Sequence, residues 1–199
     1  MFKLPDGVES ASNVGGFGID GGLSSLIGAS LANKNKLYFG AFGDLAFFYD
    51  LNSLGNRHVG NNVRILLVNN GCGTEFKLRT HPCHAFGDDA NAYMAAAGHY
   101  GNKSKDLVRH YAEDLGFKYL TASNKEEYNA VIDEFVAPEI SSSIIFEVFT
   151  DYTIEDEAYL QIRNIVTDNK AALKKSLKEL SEKILGTGGL RKLRKILPV

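Results

Sequence analysis

The 199-residue chain has the composition of an ordinary globular protein, with 44% hydrophobic residues and a formal net charge of −2. This near-neutral charge predicts no general attraction to nucleic acid. The sequence has no apolar run of about 18 residues, the length that a membrane-spanning helix needs. Two cysteines are too few for a disulfide framework, so we expect a cytoplasmic protein.

The chain opens on a glycine-rich segment. Residues 13–22 contain five glycines, which predicts a loop whose backbone approaches another group closely. Because chains seldom begin on a functional loop, we expect this chain to be part of a longer protein. A helix is predicted next, over residues 23–33, where Ser, Ala, Leu and Ile dominate.

Two apolar strands are predicted in the following stretch, at Leu37–Phe42 and Val63–Val68. Nearly continuous Val, Ile and Leu in the second run is typical of a parallel sheet that is covered on both faces. A helix is predicted between the two strands, from near Ala46 to Asn56. Residues 71–105 are less regular, with a short helix predicted at Asp89–Gly98.

Helices and strands alternate through the rest of the sheet. Ser123 and Glu126 form a capping box that predicts the start of a helix running to about Val136. The other predicted elements are a helix at Lys105–Leu115 with Gly116 as its C-cap, and strands at Phe117–Leu120 and Ile144–Phe149. The β-α-β-α-β-α-β order predicts an α/β fold, three-layer α/β/α with a mostly parallel twisted sheet and a C-terminal helical tail.

The composition changes near residue 152, where we expect one domain (1–152) to give way to a helical extension (153–199). A long helix is predicted at Glu155–Leu185 and a short basic helix at Leu190–Leu197. The basic helix is either a solvated terminus or a segment that docks on an acidic surface or on membrane headgroups.

Two polar residues at predicted strand ends are the most informative feature of the sequence. Asp44 follows the first strand and Asn70 follows the second, with glycines beside both. Neighbouring parallel strands end at the same edge of a sheet, so these side chains should meet there. A carboxylate and an amide oxygen suit Mg²⁺, and a helix starting near Ala46 favours an anion nearby. The pattern predicts a site for a metal and a diphosphate.

This pattern resembles the signature of thiamine-diphosphate-dependent enzymes, in which glycine-aspartate-glycine is followed by paired asparagines. Here the segments are Gly43-Asp44-Leu45 and Asn69-Asn70. Further segments resemble the SEPHCHC synthase branch of that family, near the 2-oxo-acid decarboxylases and acetolactate synthases: Gly18-Ile19-Asp20-Gly21 with Leu23-Ser24, and Tyr49-Asp50-Leu51-Asn52. The resemblance covers residues 13 to about 150 and implies the C-terminal, cofactor-binding (PP) domain of such an enzyme.

The resemblance also implies roles for individual residues. Mg²⁺ would be bound by Asp44, Asn70 and the backbone carbonyl of Cys72, and the diphosphate by the N–H groups of Leu45 and Ala46. A bulky residue, Ile19, would hold the cofactor in its bent shape, and the carbonyl of Phe17 would accept a hydrogen bond from the pyrimidine. The implied cofactor-binding residues are Phe17, Ile19, Gly43, Asp44, Leu45, Ala46, Asn70, Cys72 and Gly73.

The resemblance places the family's activating glutamate on a separate pyrimidine-binding (Pyr) domain. We therefore assign no catalytic residue to this chain and expect it to be inactive alone. The implied partner is a Pyr domain of the same precursor or of a partner chain, in a homodimer or tetramer.

Two positions depart from the SEPHCHC synthase pattern. Val14 stands where those enzymes have an arginine, and Glu75 where they have an apolar residue. Both positions face substrate in that family, and the loss of a cation and gain of an anion predict a related 2-oxo-acid decarboxylase or C–C ligase with a different substrate. His81 and His84 lie in a loop that is predicted to face solvent or to form an active-site lid, and they are further candidates for substrate contact.

Three alternatives remain beside this prediction. A zinc site at residues 81–84 lacks a second ligand pair. A dinucleotide site is disfavoured because Gly16-Phe17-Gly18 follows no strand, and because Asn69-Asn70 occupy the place of the acidic ribose-binding residue. A non-catalytic domain kept for assembly or regulation is the competing functional class.

Overall fold

The computed structural model describes residues 4–14, 18–94 and 104–165. One compact unit spans Leu4–Asp156, and a second comprises Met1–Lys3 with Glu157–Val199. Several predicted features lie outside the described residues: Phe17, the end of the short helix near Gly98, and the tail beyond residue 165. The predicted domain boundary at residue 152 stays a prediction.

A sheet of four parallel strands forms the centre of the larger unit, which confirms the predicted α/β class. The strands are β1 (Tyr38–Gly43), β2 (Val63–Asn69), β3 (Lys118–Ala122) and β4 (Ile144–Phe149), in the order β1-β2-β4-β3. All four were predicted to within about two residues, the uncertainty usual for element ends. The fourth strand lies between the second and the third, an order that the sequence did not predict.

Helices flank the sheet on both sides. The helices of the described residues are α1 (Gly22–Ala32), α2 (Asp44–Tyr49), α3 (Ala90–Tyr93), α4 (Leu107–Asp114), α5 (Lys125–Val136) and α6 (Tyr152–Ile165), with 3₁₀ segments at Leu51–Gly55, Thr74–Lys77 and Pro82–Asp89. None of the described helices combines the length and the apolar composition that a membrane-spanning helix requires.

Alternate residues of the strands supply two separate cores because successive side chains point to opposite faces of the sheet. Ile65, Leu67 and Ile145 pack with residues of α1, α2 and α4 on one face. Phe146 and Leu120 pack with α5 on the other. The resulting layers are helix, sheet and helix, as predicted.

Two local predictions differ in detail from the structure. The helix after β1 begins at Asp44, not near Ala46, and gives way to a 3₁₀ segment after Asp50. The cap of α5 is Asn124, whose side chain accepts a hydrogen bond from the N–H of Glu127 at 2.9 Å. Ser123 instead donates its N–H to the Glu127 carboxylate at 2.7 Å. The box is thus shifted by one residue, because Ser and Asn are both good caps and each has a glutamate three positions later.

The end of α4 agrees with the prediction. Gly116 follows the helix with φ of +79°, the left-handed conformation that glycine adopts without steric cost. This turn leads directly into β3.

A buried arginine forms hydrogen bonds at the amino ends of the strands. Arg64 is 1% exposed, and its guanidinium donates to the carbonyls of Ser142 at 2.6 Å and Glu139 at 2.7 Å. Burial lowers the pKa of Arg64. These bonds attach the segment before β4 to β2 at the amino ends of the strands, opposite the carboxyl ends where the candidate site lies.

Candidate cofactor and metal site

Asp44 joins the ends of the first two strands. Its side chain is 2% exposed. Oδ1 accepts a hydrogen bond from the N–H of Leu45 at 2.6 Å, and Oδ2 accepts one from the N–H of Gly71 at 2.5 Å. Gly43 pairs with Val68 in the register of β1 and β2. The carboxyl ends of these strands therefore meet, as the sequence predicts, with a buried carboxylate at the junction.

Asn70 follows β2 and is half-buried. Its Oδ1 accepts a hydrogen bond from the N–H of Cys72 at 3.0 Å. Its Nδ2 donates to Oγ1 of Thr74 at 2.6 Å and to Oε2 of Glu155 at 2.8 Å. The amide is thus held at both ends, with its oxygen directed at the glycine-rich turn that follows β2.

The turn after β2 brings the backbone N–H of Gly71 close to the buried carboxylate. Gly71 has φ of +79°, and Cys72 is 3% exposed. Burial raises the pKa of the Cys72 thiol, which lies 3.7 Å from Oγ1 of Thr74. A thiol kept protonated is a poor ligand for a hard cation. This agrees with the expectation that Cys72 acts through its carbonyl, which stays a prediction.

The residues predicted to contact the diphosphate lie on either side of this junction. Gly43 precedes α2, Leu45 is half-buried in its first turn and Ala46 is buried. Gly73 precedes the 3₁₀ segment Thr74–Lys77. Their roles in binding stay predictions.

The glycine-rich loop before α1 is organised by an asparagine. Nδ2 of Asn13 donates to the carbonyl of Asp20 at 2.7 Å. Ile19 is half-buried in the turn before α1, and Val14 is 85% exposed. Phe17 lies outside the described residues. The cofactor contact of Ile19 and the substrate contact of Val14 stay predictions.

The other candidates for substrate contact lie after β2. Glu75 is exposed on a 3₁₀ turn. Nδ1 of His81 accepts a hydrogen bond from the N–H of Cys83 at 3.1 Å, and Nδ1 of His84 lies 2.9 Å from the carbonyl oxygen of Lys77. Both imidazoles thus contact the backbone of their own loop. Their roles in substrate binding also stay predictions.

Within residues 4–14, 18–94 and 104–165, no three His, Cys, Asp or Glu side chains are grouped to hold a metal ion. The predicted Mg²⁺ set is of a different kind, with one carboxylate, one amide oxygen and one backbone carbonyl. Such a set is all oxygen and carries one formal charge, which fits an ion that retains water and phosphate oxygens as its remaining ligands.

The first turn of α6 contacts this region, which the sequence did not predict. Glu155 reaches Asn70, and its other oxygen accepts a hydrogen bond from Oγ1 of Thr150 at 2.7 Å. Asp156 accepts from the N–H of Arg79 at 3.0 Å and forms an ion pair with its side chain at 2.5 Å. Nothing in the sequence marks Glu155 as distinct from the other acidic residues at the start of this helix.

A buried polar network lies beneath the junction of the strands. Glu147 is 1% exposed on β4 and accepts hydrogen bonds from Nδ2 of Asn69 at 2.7 Å and from the hydroxyl of Tyr119 at 2.6 Å. Burial raises the pKa of Glu147, and the two hydrogen bonds act in the opposite direction. Burial also raises the pKa of Tyr119. The side chain of Asn69, the residue before Asn70, is therefore held by its hydrogen bond to Glu147.

The raised pKa of Glu147 predicts a pH dependence of folding. The pKa of Glu147 is higher in the folded state than in the unfolded state. Its contribution to the free energy of unfolding is therefore fully present at pH values below the unfolded-state pKa, and it is lost as the pH rises through the folded-state pKa. Glu147→Gln should therefore lose less stability than the wild type between mildly acidic and mildly alkaline buffer. The measurement is the free energy of unfolding in urea across that range.

Tyr119→Phe is the matched variant for this test. It keeps the ring but removes a donor that favours the carboxylate, so its stability should fall more steeply with pH than that of the wild type. Equal pH dependence in all three proteins would contradict the assignment of the effect to Glu147.

Comparison with curated proteins identifies relatives of the chain. It is 37% identical over 169 residues to a 2-succinyl-5-enolpyruvyl-6-hydroxy-3-cyclohexene-1-carboxylate (SEPHCHC) synthase of Bacteroides fragilis, a match that covers 82% of this chain. Synthases of the same name from Phocaeicola vulgatus and Christiangramia forsetii are 38% and 30% identical, over 76% and 83% of the chain. Over the matched residues, this chain is similar to SEPHCHC synthases. No protein-family model matches it.

The chain spans only 26–29% of the length of these SEPHCHC synthases. The matched part therefore corresponds to just over a quarter of the length of each of these relatives. The resemblance inferred from the paired motifs is confirmed by this relationship, whereas the reaction of the whole protein is not decided by it.

Proposed function

We propose that this chain is the Mg²⁺- and diphosphate-binding domain of a thiamine-diphosphate-dependent enzyme. The reaction class is decarboxylation of a 2-oxo acid followed by protonation or by formation of a C–C bond. The observation that carries the proposal is the hydrogen bond between the buried Asp44 carboxylate and the N–H of Gly71, since it brings the two halves of the motif together.

The side chains at this site fit a divalent cation that binds a diphosphate. A carboxylate that is 2% exposed is costly to bury as an anion, and a divalent cation beside it would offset that cost. The amide oxygen of Asn70 accepts one N–H, and an amide oxygen has a second lone pair for a cation. The neutral, buried Cys72 thiol does not compete with these oxygens.

Thiamine diphosphate, when bound, supplies the carbanion chemistry. The contribution of this chain is to bind and orient. Asp44, Asn70 and the carbonyl of Cys72 would hold the ion, and the N–H groups beside Gly43 would contact the diphosphate. Ile19 and Phe17 would hold the remainder of the cofactor.

The proposal requires a second domain. The activating glutamate is expected on a Pyr domain, in the same precursor or in a partner chain, within a cytoplasmic homodimer or tetramer. The limited share of the relatives' length that this chain spans supports that requirement. The chain alone should therefore bind the cofactor weakly and catalyse no turnover.

The substrate is proposed only as a class. Val14 and Glu75 are the positions at which this chain departs from the SEPHCHC synthase pattern, by losing a cation and gaining an anion. His81 and His84 are the other proposed contacts. A 2-oxo acid with fewer carboxylates than the SEPHCHC precursors fits that change in charge.

The expected result of the binding test is cooperative stabilisation. Mg²⁺ and thiamine diphosphate together should raise the melting temperature of the 199-residue chain, while either alone should have little effect. A free ligand concentration of about ten Kd contributes about 1.4 kcal/mol, which corresponds to a shift of about 3–6 °C in a domain of this size. Calorimetric titration then gives the dissociation constant.

Thiamine monophosphate is the matched control ligand, because it retains the rings and lacks the terminal phosphate. It should give a much smaller shift at the same concentration. Equal shifts for the two ligands would contradict diphosphate recognition. The absence of any shift with Mg²⁺ and thiamine diphosphate would favour a non-catalytic assembly or regulatory domain.

A further inference from the structure

The orientation of the Asn70 side chain is set by groups that can act in only one way. A carboxylate accepts hydrogen bonds and a backbone N–H donates them, so Glu155 selects the Nδ2 end of the amide and Cys72 selects the Oδ1 end. The two ends of an amide are nearly equal in size, and only such partners distinguish them. Here the partners at both ends agree on the same orientation.

We propose that Glu155 is a positioning residue, which holds the Asn70 amide with its oxygen available to the metal. The inference rests on the proposed function, because it assumes that Asn70 ligates a cation. In the opposite orientation Nδ2 would face the ion, and an N–H group cannot act as a ligand. Thr74 accepts the second N–H of Nδ2 at 2.6 Å, but a hydroxyl can also donate, so Glu155 and the N–H of Cys72 alone select the orientation.

The position of Glu155 is itself fixed. Its Oε1 accepts a hydrogen bond from the hydroxyl of Thr150, immediately after β4, at 2.7 Å. Next to it, Asp156 binds both the backbone and the side chain of Arg79. The ammonium of Lys77 lies 4.5 Å from the centre of the Tyr152 ring. The first turn of α6 therefore contacts the chain on both sides of the glycine-rich turn.

Removing a residue that orients a metal ligand commonly weakens metal affinity by about 10–100-fold. Glu155→Ala should accordingly weaken binding of Mg²⁺, measured by calorimetry at saturating thiamine diphosphate, by about 10–100-fold. Glu155→Gln should recover part of this loss, because the glutamine oxygen can still accept from Nδ2 of Asn70. Alanine can accept no such bond.

Asp156→Ala is the matched control for the same turn. It removes a carboxylate that contacts Arg79 and leaves the contact of Glu155 with Asn70. Its Mg²⁺ affinity should change less than about threefold, the scale of a contact outside the ligand network. Its free energy of unfolding, measured in urea without ligands, separates general loosening of α6 from an effect on Asn70.

Nuclear magnetic resonance gives a readout that does not depend on the metal. In the ligand-free chain, the side-chain NH₂ signals of Asn70 should shift in Glu155→Ala and remain near their wild-type positions in Asp156→Ala. A change in stability alone would not produce this pattern.

The outcomes separate the two proposals. If the wild type binds Mg²⁺ with thiamine diphosphate and Glu155→Ala binds as tightly, the positioning role is wrong and the proposed function stands. Equal losses of affinity in Glu155→Ala and Asp156→Ala would also overturn it, in favour of a general structural effect. If the wild type binds no Mg²⁺, the proposed function fails and this inference fails with it.

Discussion

Asp44→Asn should abolish measurable binding of Mg²⁺ with thiamine diphosphate. The substitution keeps the size of the side chain and removes the charge that the proposed site needs. It also places an NH₂ group against one of two backbone N–H donors, those of Leu45 and Gly71, so that two donors face each other. We expect the dissociation constant to rise by at least about 100-fold, since loss of a direct ligand should exceed the effect of an outer partner.

The measurement is calorimetric titration of the variant and the wild type. Asp50→Asn is the control, because Asp50 also accepts a backbone N–H, from Ser24 at 2.6 Å, but follows the opposite end of α2. It should retain wild-type affinity within about threefold, as expected for a site without shared partners. Equal binding by Asp44→Asn and the wild type would contradict the assignment of Asp44 as a ligand.

A loss of folding in Asp44→Asn has to be distinguished from a loss of binding. The unpaired donors should cost about 1–3 kcal/mol, which most domains tolerate, since their stabilities are about 5–15 kcal/mol. The urea midpoint of the ligand-free variant checks this directly. Affinity should then be compared under conditions where both proteins are folded.

Phe146→Ala should cost about 3–5 kcal/mol of unfolding free energy, the range for a fully buried phenylalanine. Phe146 is 0% exposed on β4, which has a neighbouring strand on each side. Its ring lies 5.4 Å from that of Tyr128 and 5.5 Å from that of Phe135, both on α5. The truncation would leave a cavity between the sheet and this helix.

Phe39→Ala is the matched control. Phe39 packs against the same partner, Phe135, with ring centres 5.8 Å apart, but it is 51% exposed on the edge strand β1. Its loss should cost about 1 kcal/mol. If Phe146→Ala does not fold, Phe146→Leu should still show a smaller loss in urea unfolding. A larger loss for Phe39→Ala than for the Phe146 variants would contradict this arrangement of the core.

The local features of the fold follow from short-range rules. The apolar runs at residues 63–68 and 144–149 are long enough and rich enough in branched residues to predict buried strands. The boundaries of α5 illustrate the limit of such rules. Ser123 and Asn124 are both favoured caps, and only the final backbone geometry selected Asn124.

The meeting of Asp44 with the turn after β2 was also predictable. A strand, a helix and a second strand joined by short connections place consecutive strands side by side in a parallel sheet. The register of Gly43 with Val68 is the observed result. Glycines on either side of the polar residues then allow the two turns to approach closely.

The sequence by itself determined the layers, the strands and the polar pair at the ends of β1 and β2, because these depend on hydrophobic periodicity and on adjacent elements. Only the tertiary structure decided that β4 lies between β2 and β3. That strand order brings Glu147 beneath Asn69 and leads the chain to Glu155 beside Asn70. The physical reason is that the sequence of an apolar strand does not specify which strand it will pair with. Contacts between residues of non-consecutive strands are therefore fixed only when the whole sheet assembles.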